Sequence, residues 1–360
     1  MKILAFITHK QAEFYADCQD RFGVNPDNKS IAVSDGMGST WQQKIWAQLL
    51  VDTFTKSNNW LPTHDSIKPL CNTWRQTVEF FIQHLKDTNA PDNIIYRNER
   101  NLAEGKSAGA TFVGIRFDKK QWNGSVLGDS CLIEWNGTEA KFHTSQDIEA
   151  FDSYPDYFDS NGLKQGKGSP KVISDVLDKG QYLLLVSDPF SDFLLEHNKQ
   201  GDISDYMQQL LRLSSHDEFE ALVGDWRTKG MHNDDTTLVI VEEDQSEQFS
   251  IQACDEISVL IETERKENEK QKDSSSEIDD SHSKKLKDQH DNEVETVEVG
   301  ESPSLTPVDE EFFRTDFLTE YKYALQKKHP NIGEFKFKWT QKAIIDAVNV
   351  MFKKYSIFIK

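Results

Sequence analysis

The sequence predicts an α+β layered domain followed by a small helical module, and three observations predict it. Short β-rich runs lie on both sides of two amphipathic stretches between Trp41 and Asp87. Gly, Asn, Asp and Lys clusters that suit hairpins separate most of the later runs. Aromatic residues then vanish through a dense stretch of mixed charge and return only in the last fifty residues or so.

Taken in order, KILAFIT (2–8) and SIAVSD (30–35) read as strands. WQQKIWAQLLVDTFTKS (41–57) repeats Ile45, Leu49 and Leu50 on one helical face. After a break at Leu61-Pro62, SIKPLCNTWRQTVEFFIQHLKD (66–87) does the same with Val78, Phe81 and Leu85. Four strand candidates follow: ATFVGIRF (110–117), GSVLGDSCLIEW (124–135), QYLLLVSD (181–188) and TTLVIVEE (236–243). One more helical patch, DISDYMQQLLRLSSHDEFEALV (202–223), precedes the last of them. The domain reading is a folded body over 1–262, a disordered charged linker over 263–308 and a helical module over 309–360. In the module, Ile344, Ala347, Val348, Met351, Phe352 and Tyr355 recur at helical spacing.

Charge narrows the functional classes. The net charge of −20 argues against a general nucleic-acid binder, whose affinity rests on lysine and arginine. Residues 309–360 carry ten Lys or Arg against seven Asp or Glu, a basic tail suited to folding back on the acidic body, to docking on an acidic partner, or to standing as a plain solvated face. Cys18, Cys71, Cys131 and Cys254 form neither a zinc spacing nor a dense disulfide framework and read as reduced. None is followed by arginine six positions on, as a Cys-x5-Arg phosphatase loop requires. The first apolar run is too short for a secretory signal, and none approaches the roughly 20 residues that span a bilayer, so the expectation is a cytoplasmic protein without a membrane partner.

The chemistry lies in carboxylates that interrupt or end apolar runs: Asp35 in SIAVSDGMGST, Asp129 in SVLGDSCLIEW, Asp188 in YLLLVSDPFSD, and the Asp234-Asp235 pair opening DDTTLVIV. A lone Asp there is ordinarily a turn or cap. Several such carboxylates need cations, hydrogen bonds or protons, and hard divalent ions such as Mg²⁺ and Mn²⁺ prefer these oxygens. Gly36 would let a backbone carbonyl approach such an ion.

Six runs in order, CQDR (18–21), SDGMGS (34–39), GATFVGI (109–115), LGDSCLIEW (127–135), LLLVSDPFSDFL (183–194) and DDTTLVIV (234–241), resemble the motifs of type 2C metal-dependent protein phosphatases, in their bacterial-type branch. The resemblance covers residues 9–241, about two thirds of the chain. It implies a β-sandwich of two antiparallel sheets flanked by helices. It also implies a serine/threonine phosphoprotein phosphatase in which a water bridging two Mn²⁺ or Mg²⁺ ions attacks a phosphomonoester. Asp35 would be shared by both ions, Gly36 would offer its carbonyl, Asp188 and Asp234 would complete one shell, Asp20 would hold metal-bound waters, and Asp129 would serve a third ion. Partners would be phosphorylated proteins, among them a serine/threonine kinase or its substrate.

The sequence departs from that pattern at three places. Tyr15 stands five residues before Asp20, where many members carry a phosphate-holding arginine; Lys10 or Arg21 would substitute, and His9 matches the His of the bacterial branch. Met37 replaces the histidine that eukaryotic members place after Asp-Gly. Pro189 replaces the glycine after Asp188 and biases Asp188 toward extended backbone. Tyr15 and Pro189 support a second reading, a pseudophosphatase that binds a phosphoprotein or kinase without turnover.

Overall fold

The computed structural model describes residues 1–146, 155–161, 166–244, 246 and 248–268. The predicted module at 309–360 and the predicted linker from residue 269 onward lie outside the described residues. Met1–Asp255 forms one compact unit; the second begins at Glu256, and its described part is a helix over 257–268 that overlaps the first residues of the predicted linker.

In chain order the first unit runs β1 (Lys2–Thr8), β2 (Arg21–Asn25), β3 (Ser30–Ser34), α1 (Gln43–Lys56), α2 (Lys68–Asp87), α3 (Asp92–Ala103), β4 (Gly109–Ala110), β5 (Phe112–Asp118), β6 (Gln121–Leu127), β7 (Cys131–Trp135) and β8 (Ala140–His143). It continues with β9 (Phe158–Asp159), β10 (Lys171–Val176), β11 (Tyr182–Val186), α4 (Asp188–Gln200), α5 (Ile203–Leu210), α6 (His216–Thr228), β12 (Thr236–Glu242) and β13 (Ser250–Cys254). A six-stranded sheet, β13-β1-β12-β11-β7-β8, faces a five-stranded sheet, β10-β6-β5-β3-β2. Pairing is antiparallel except for β1 with β13, which run parallel.

Alternation along the strands builds two cores. Leu183, Leu185, Val239 and Val241 point between the sheets, where they join Ile31, Val33, Val113 and Ile115. Their neighbours Leu184, Val186, Leu238 and Ile240 point the other way, into a layer with Phe190, Phe219 and Trp226 of α4 and α6. Covered on both faces, β11 and β12 are apolar throughout, which is why they read so clearly as strands. On the outer face of the five-stranded sheet, α1 comes so close that an added Cβ at Gly23 would lie 2.8 Å from Val51 Cγ1.

Several elements differ from the sequence reading. The buried face of α1 is Trp46, Ala47, Leu50, Val51 and Phe54, with Ile45 and Leu49 only half-buried. Trp46 decides the rotation: it is the largest side chain available, and its indole N–H also donates to Phe158 O at 2.9 Å. The run GSVLGDSCLIEW is two strands in different sheets, because Gly128, at φ +100°, turns the chain across the sandwich and leaves Asp129 in the crossing. The patch at 202–223 divides into α5 and α6, the second capped by Ser215, whose hydroxyl accepts from Glu218 N–H. No helix among the described residues is long and apolar enough to cross a membrane.

Candidate metal centre

Asp35 follows directly from β3. Its N–H donates to Thr111 Oγ1 at 3.2 Å and its carbonyl accepts from Thr111 N–H at 2.9 Å, so the strand end is fixed while the side chain remains half-buried. Gly36 has an ordinary φ; it is constrained by crowding, since an added Cβ would lie 3.0 Å from both Gln19 O and Gln43 Cγ. Asp20, fully buried, accepts from Thr237 Oγ1 at 2.7 Å through Oδ2, while its Oδ1 has no hydrogen-bond partner.

Asp188 opens α4, and the extended residue preceding the helix is Ser187. Pro189 therefore falls in the first helical turn, where its missing N–H has no intrahelical acceptor to lose and its fixed φ suits the helix. The predicted bias of Asp188 toward an extended backbone is overridden by this helix start. Ser191 donates its hydroxyl to Asp129 O at 2.7 Å, tying α4 to the β6–β7 crossing.

The aspartates act on one another. Burial pushes the Asp35 carboxyl well up, reinforced by the charges of Asp188 and Asp129 and, more weakly, Asp234. Asp188 is likewise raised by burial and by Asp129, Asp234, Asp20 and Asp192, and Asp20 by burial, Asp35 and Asp235. The structure thus brings Asp20, Asp35, Asp129, Asp188 and Asp234 into one electrostatic neighbourhood. Among the described residues, no three His, Cys, Asp or Glu side chains are drawn together tightly enough to hold an ion. An all-oxygen donor set with a partnerless buried oxygen at its base nonetheless suits hard divalent cations.

The bases around this cluster hold its loops. Lys10 places its ammonium 3.0 Å from Asp234 Oδ1. Burial pulls the Lys10 amine down, but the bond to Asp234 and the charges of Asp234 and Asp235 outweigh it and raise it. Asp235, almost fully buried, accepts from the N–H of Lys10 at 3.1 Å and of Gln19 at 2.6 Å, closing the β1–β2 loop at both ends. Arg227 donates to His9 O at 3.1 Å and Asp234 O at 2.6 Å, joining two segments that carry candidate residues. Arg21 donates to Cys18 O at 2.8 Å and also bonds Asp20 O, so it does not stand in for the arginine missing at position 15. His9 sets Nδ1 2.6 Å from Lys10 O.

Tyr15 is turned into the domain. Its hydroxyl meets Glu220 Oε1 at 2.5 Å and His216 Nε2 at 2.9 Å, and His216 Nδ1 meets Asp255 Oδ2 at 2.8 Å. Burial pulls His216 down, but the bonds to Asp255 and Glu220 carry it up to about 10; Glu220 is lowered to about 2, foremost by His216. A raised His stabilises fully below its ordinary value of 6.5 and loses that contribution as pH rises through about 10. A lowered Glu contributes above its ordinary 4.5 and loses this as pH falls through about 2. Urea midpoints of wild type and His216→Gln should therefore differ most near pH 5–6 and converge by about pH 10; a constant gap would show that the imidazole charge contributes nothing.

The sequence reading missed three residues that act here. Asp192 lies one helical turn beyond Asp188 in DPFSD, and its charge bears on it. Thr237 follows the Asp-Asp pair and supports Asp20. Arg227 lies just past the patch read as a helix at 202–223 and belongs to no motif.

The sequence profile of protein phosphatase 2C matches residues 14–226, more than half of the chain. The chain belongs to the protein phosphatase 2C family. His9, Lys10, Asp234 and Asp235 lie outside the matched span. Similar solved structures include the serine/threonine phosphatase Stp1 from Staphylococcus aureus, at 15% identity and TM-score 0.43 over 67% of this chain and 94% of that one. Another is PppA, described as a key regulatory component of T6SS in Pseudomonas aeruginosa, at 19% identity and TM-score 0.43 over 67% and 96%. A third is the Mycobacterium tuberculosis serine/threonine phosphatase PstP/Ppp, at 16% identity and TM-score 0.41 over 67% and 98%. No curated protein matches the sequence.

Proposed function

We propose that this member of the protein phosphatase 2C family is a metal-dependent serine/threonine phosphoprotein phosphatase of the bacterial cytoplasm. The observation that carries the reading is the convergence of Asp20, Asp35 and Asp188: Asp20 is fully buried with Oδ1 lacking a hydrogen-bond partner, and burial together with neighbouring aspartates pushes all three carboxyls up. Such a cluster is unfavourable in a fold that makes no use of it. Asp35, Gly36, Asp188 and Asp234 would hold two Mn²⁺ or Mg²⁺ ions, Asp20 would orient water beside them through its free oxygen, and Asp129 would serve a third ion. Bound there, the ions would lower the pKa of water and neutralise phosphoryl oxygens during in-line attack. The protein's own part is to fix the strand end at Asp35 through Thr111 and the Asp188 helix start through Ser187 and Ser191.

A thiol nucleophile has no support. Cys18, beside the cluster, is fully buried, and its thiol is pushed up by burial and by Asp235 and Asp20. The four described cysteines are free, in keeping with a reducing compartment. The substrates would be phosphoserine and phosphothreonine proteins, with a kinase or its targets as partners. Tyr15 favours the second reading, a phosphoprotein-binding pseudophosphatase, because its hydroxyl is engaged within the domain and leaves that position without a phosphate clamp.

The deciding experiment is hydrolysis of an aryl phosphate and a phosphothreonine peptide with Mn²⁺, with Mg²⁺ and with chelator. Turnover with metal that falls at least about a hundredfold in chelator is expected. Folded protein without turnover in either metal would transfer the assignment to the pseudophosphatase.

A further inference from the structure

Among the described residues, Arg21, Lys44, Arg227 and Lys10 border the carboxylate cluster, and the first three hold backbone. Arg21 bonds Cys18 O, Lys44 donates to Ala16 O at 2.7 Å, and Arg227 joins His9 O to Asp234 O. Lys10 differs: its ammonium rests on Asp234, a carboxylate assigned above to a metal ion. A dication and an ammonium cannot share that oxygen without strong repulsion. The Lys10 backbone is fixed, with its N–H on Asp235 and the preceding carbonyl on Arg227, whereas its side chain is a flexible stem with a partly exposed tip. The ammonium can therefore leave Asp234 while its backbone stays anchored beside the cluster.

Building on the metal-centre reading, we propose that Lys10 is a displaceable counter-ion: it neutralises Asp234 until a divalent ion takes that carboxylate, then pairs with the dianionic phosphoryl group of the substrate. Metal loading and the assembly of a phosphate clamp thereby become one event. A clamp released only with metal in place would discriminate against phosphoproteins in the ion-free state, where Lys10 is already paired and the surrounding carboxylates repel a phosphoryl dianion.

The test follows the Lys10 amine in the full-length chain by acylation and mass spectrometry, with Mn²⁺ binding measured by calorimetry. Mn²⁺ is expected to raise the acylation rate of Lys10 about fivefold, and inorganic phosphate added afterwards to lower it again. Lys10→Met should bind Mn²⁺ about fivefold more tightly, because a competitor is gone, and show a raised KM for an aryl phosphate with a smaller change in kcat. Lys10→Arg should restore KM. If calorimetry shows Mn²⁺ binding while Lys10 reactivity is unchanged by metal and phosphate, the displacement is wrong and the metal centre stands. If Mn²⁺ does not bind at all, the metal-centre reading and the displacement fall together.

Discussion

Replacing Asp35 with asparagine should cut metal-dependent hydrolysis of a phosphothreonine peptide by at least about a thousandfold while making the ion-free protein more stable. The two effects share one cause. Asparagine has nearly the same volume as aspartate, and the backbone bonds to Thr111 involve no side-chain atom of Asp35, so the strand end keeps its geometry in the variant. What is lost is a negative charge that burial and the neighbouring aspartates disfavour. Removing it relieves Asp188, Asp129 and Asp234, and the ion-free melting temperature should rise by about 2–4 °C per kcal/mol recovered. It also removes the ligand assigned to both ions, so the further gain that Mn²⁺ gives wild type should disappear. Asp188→Asn should follow the same pattern, as expected where a functional site is maintained against stability. Full turnover by the Asp35→Asn variant, or a lower ion-free melting temperature, would remove the carboxylates from the chemistry.

The parts of this site that were legible in sequence are those where a carboxylate breaks an apolar strand pattern. Asp35, Asp188 and Asp234 stood out because β3, β11 and β12 are heavily buried, making each strand end abrupt. The packing of one motif against another was not legible. Tyr15 read as a missing arginine; its partners Glu220 and His216 are about 200 residues away, and no local pattern brings them together. Pro189 read as biasing Asp188 toward extended backbone, because the strand run before it hides a helix start that the α6 layer stabilises from the far side. The amphipathic run of α3 also passed unread: it buries only Asn98 fully, which accepts from the indole N–H of Trp41 at 3.2 Å. A helix held by polar contacts at Asn98 and Glu99 and by half-buried Ile94, Ile95 and Leu102 leaves little apolar stripe to find.

The second large effect belongs to α6, and Trp226→Ala should test it. Phe219, Val223 and Trp226 form the buried stripe of the helix, and the Trp226 ring meets Phe190 at 5.6 Å, Phe193 at 5.1 Å and Tyr206 at 5.3 Å. Its indole N–H donates to Gln209 Oε1 at 3.2 Å, so truncation leaves both a cavity and a polar group without its partner. The expected loss is about 3–5 kcal/mol, read from chemical denaturation. The consequence should reach the site, because His216, Glu220 and Arg227 on the same helix bond Tyr15, Thr8 and the His9 carbonyl, which frame the loop carrying Lys10. Destabilised α6 should therefore raise KM in the fraction that remains folded, whereas Trp226→Phe, which keeps most of the ring contacts, should lose about half as much stability and little affinity. A Trp226→Ala protein with normal KM would show that the β1–β2 loop is held without α6, by Asp235 at Lys10 and Gln19 together with Lys44 at the Ala16 carbonyl.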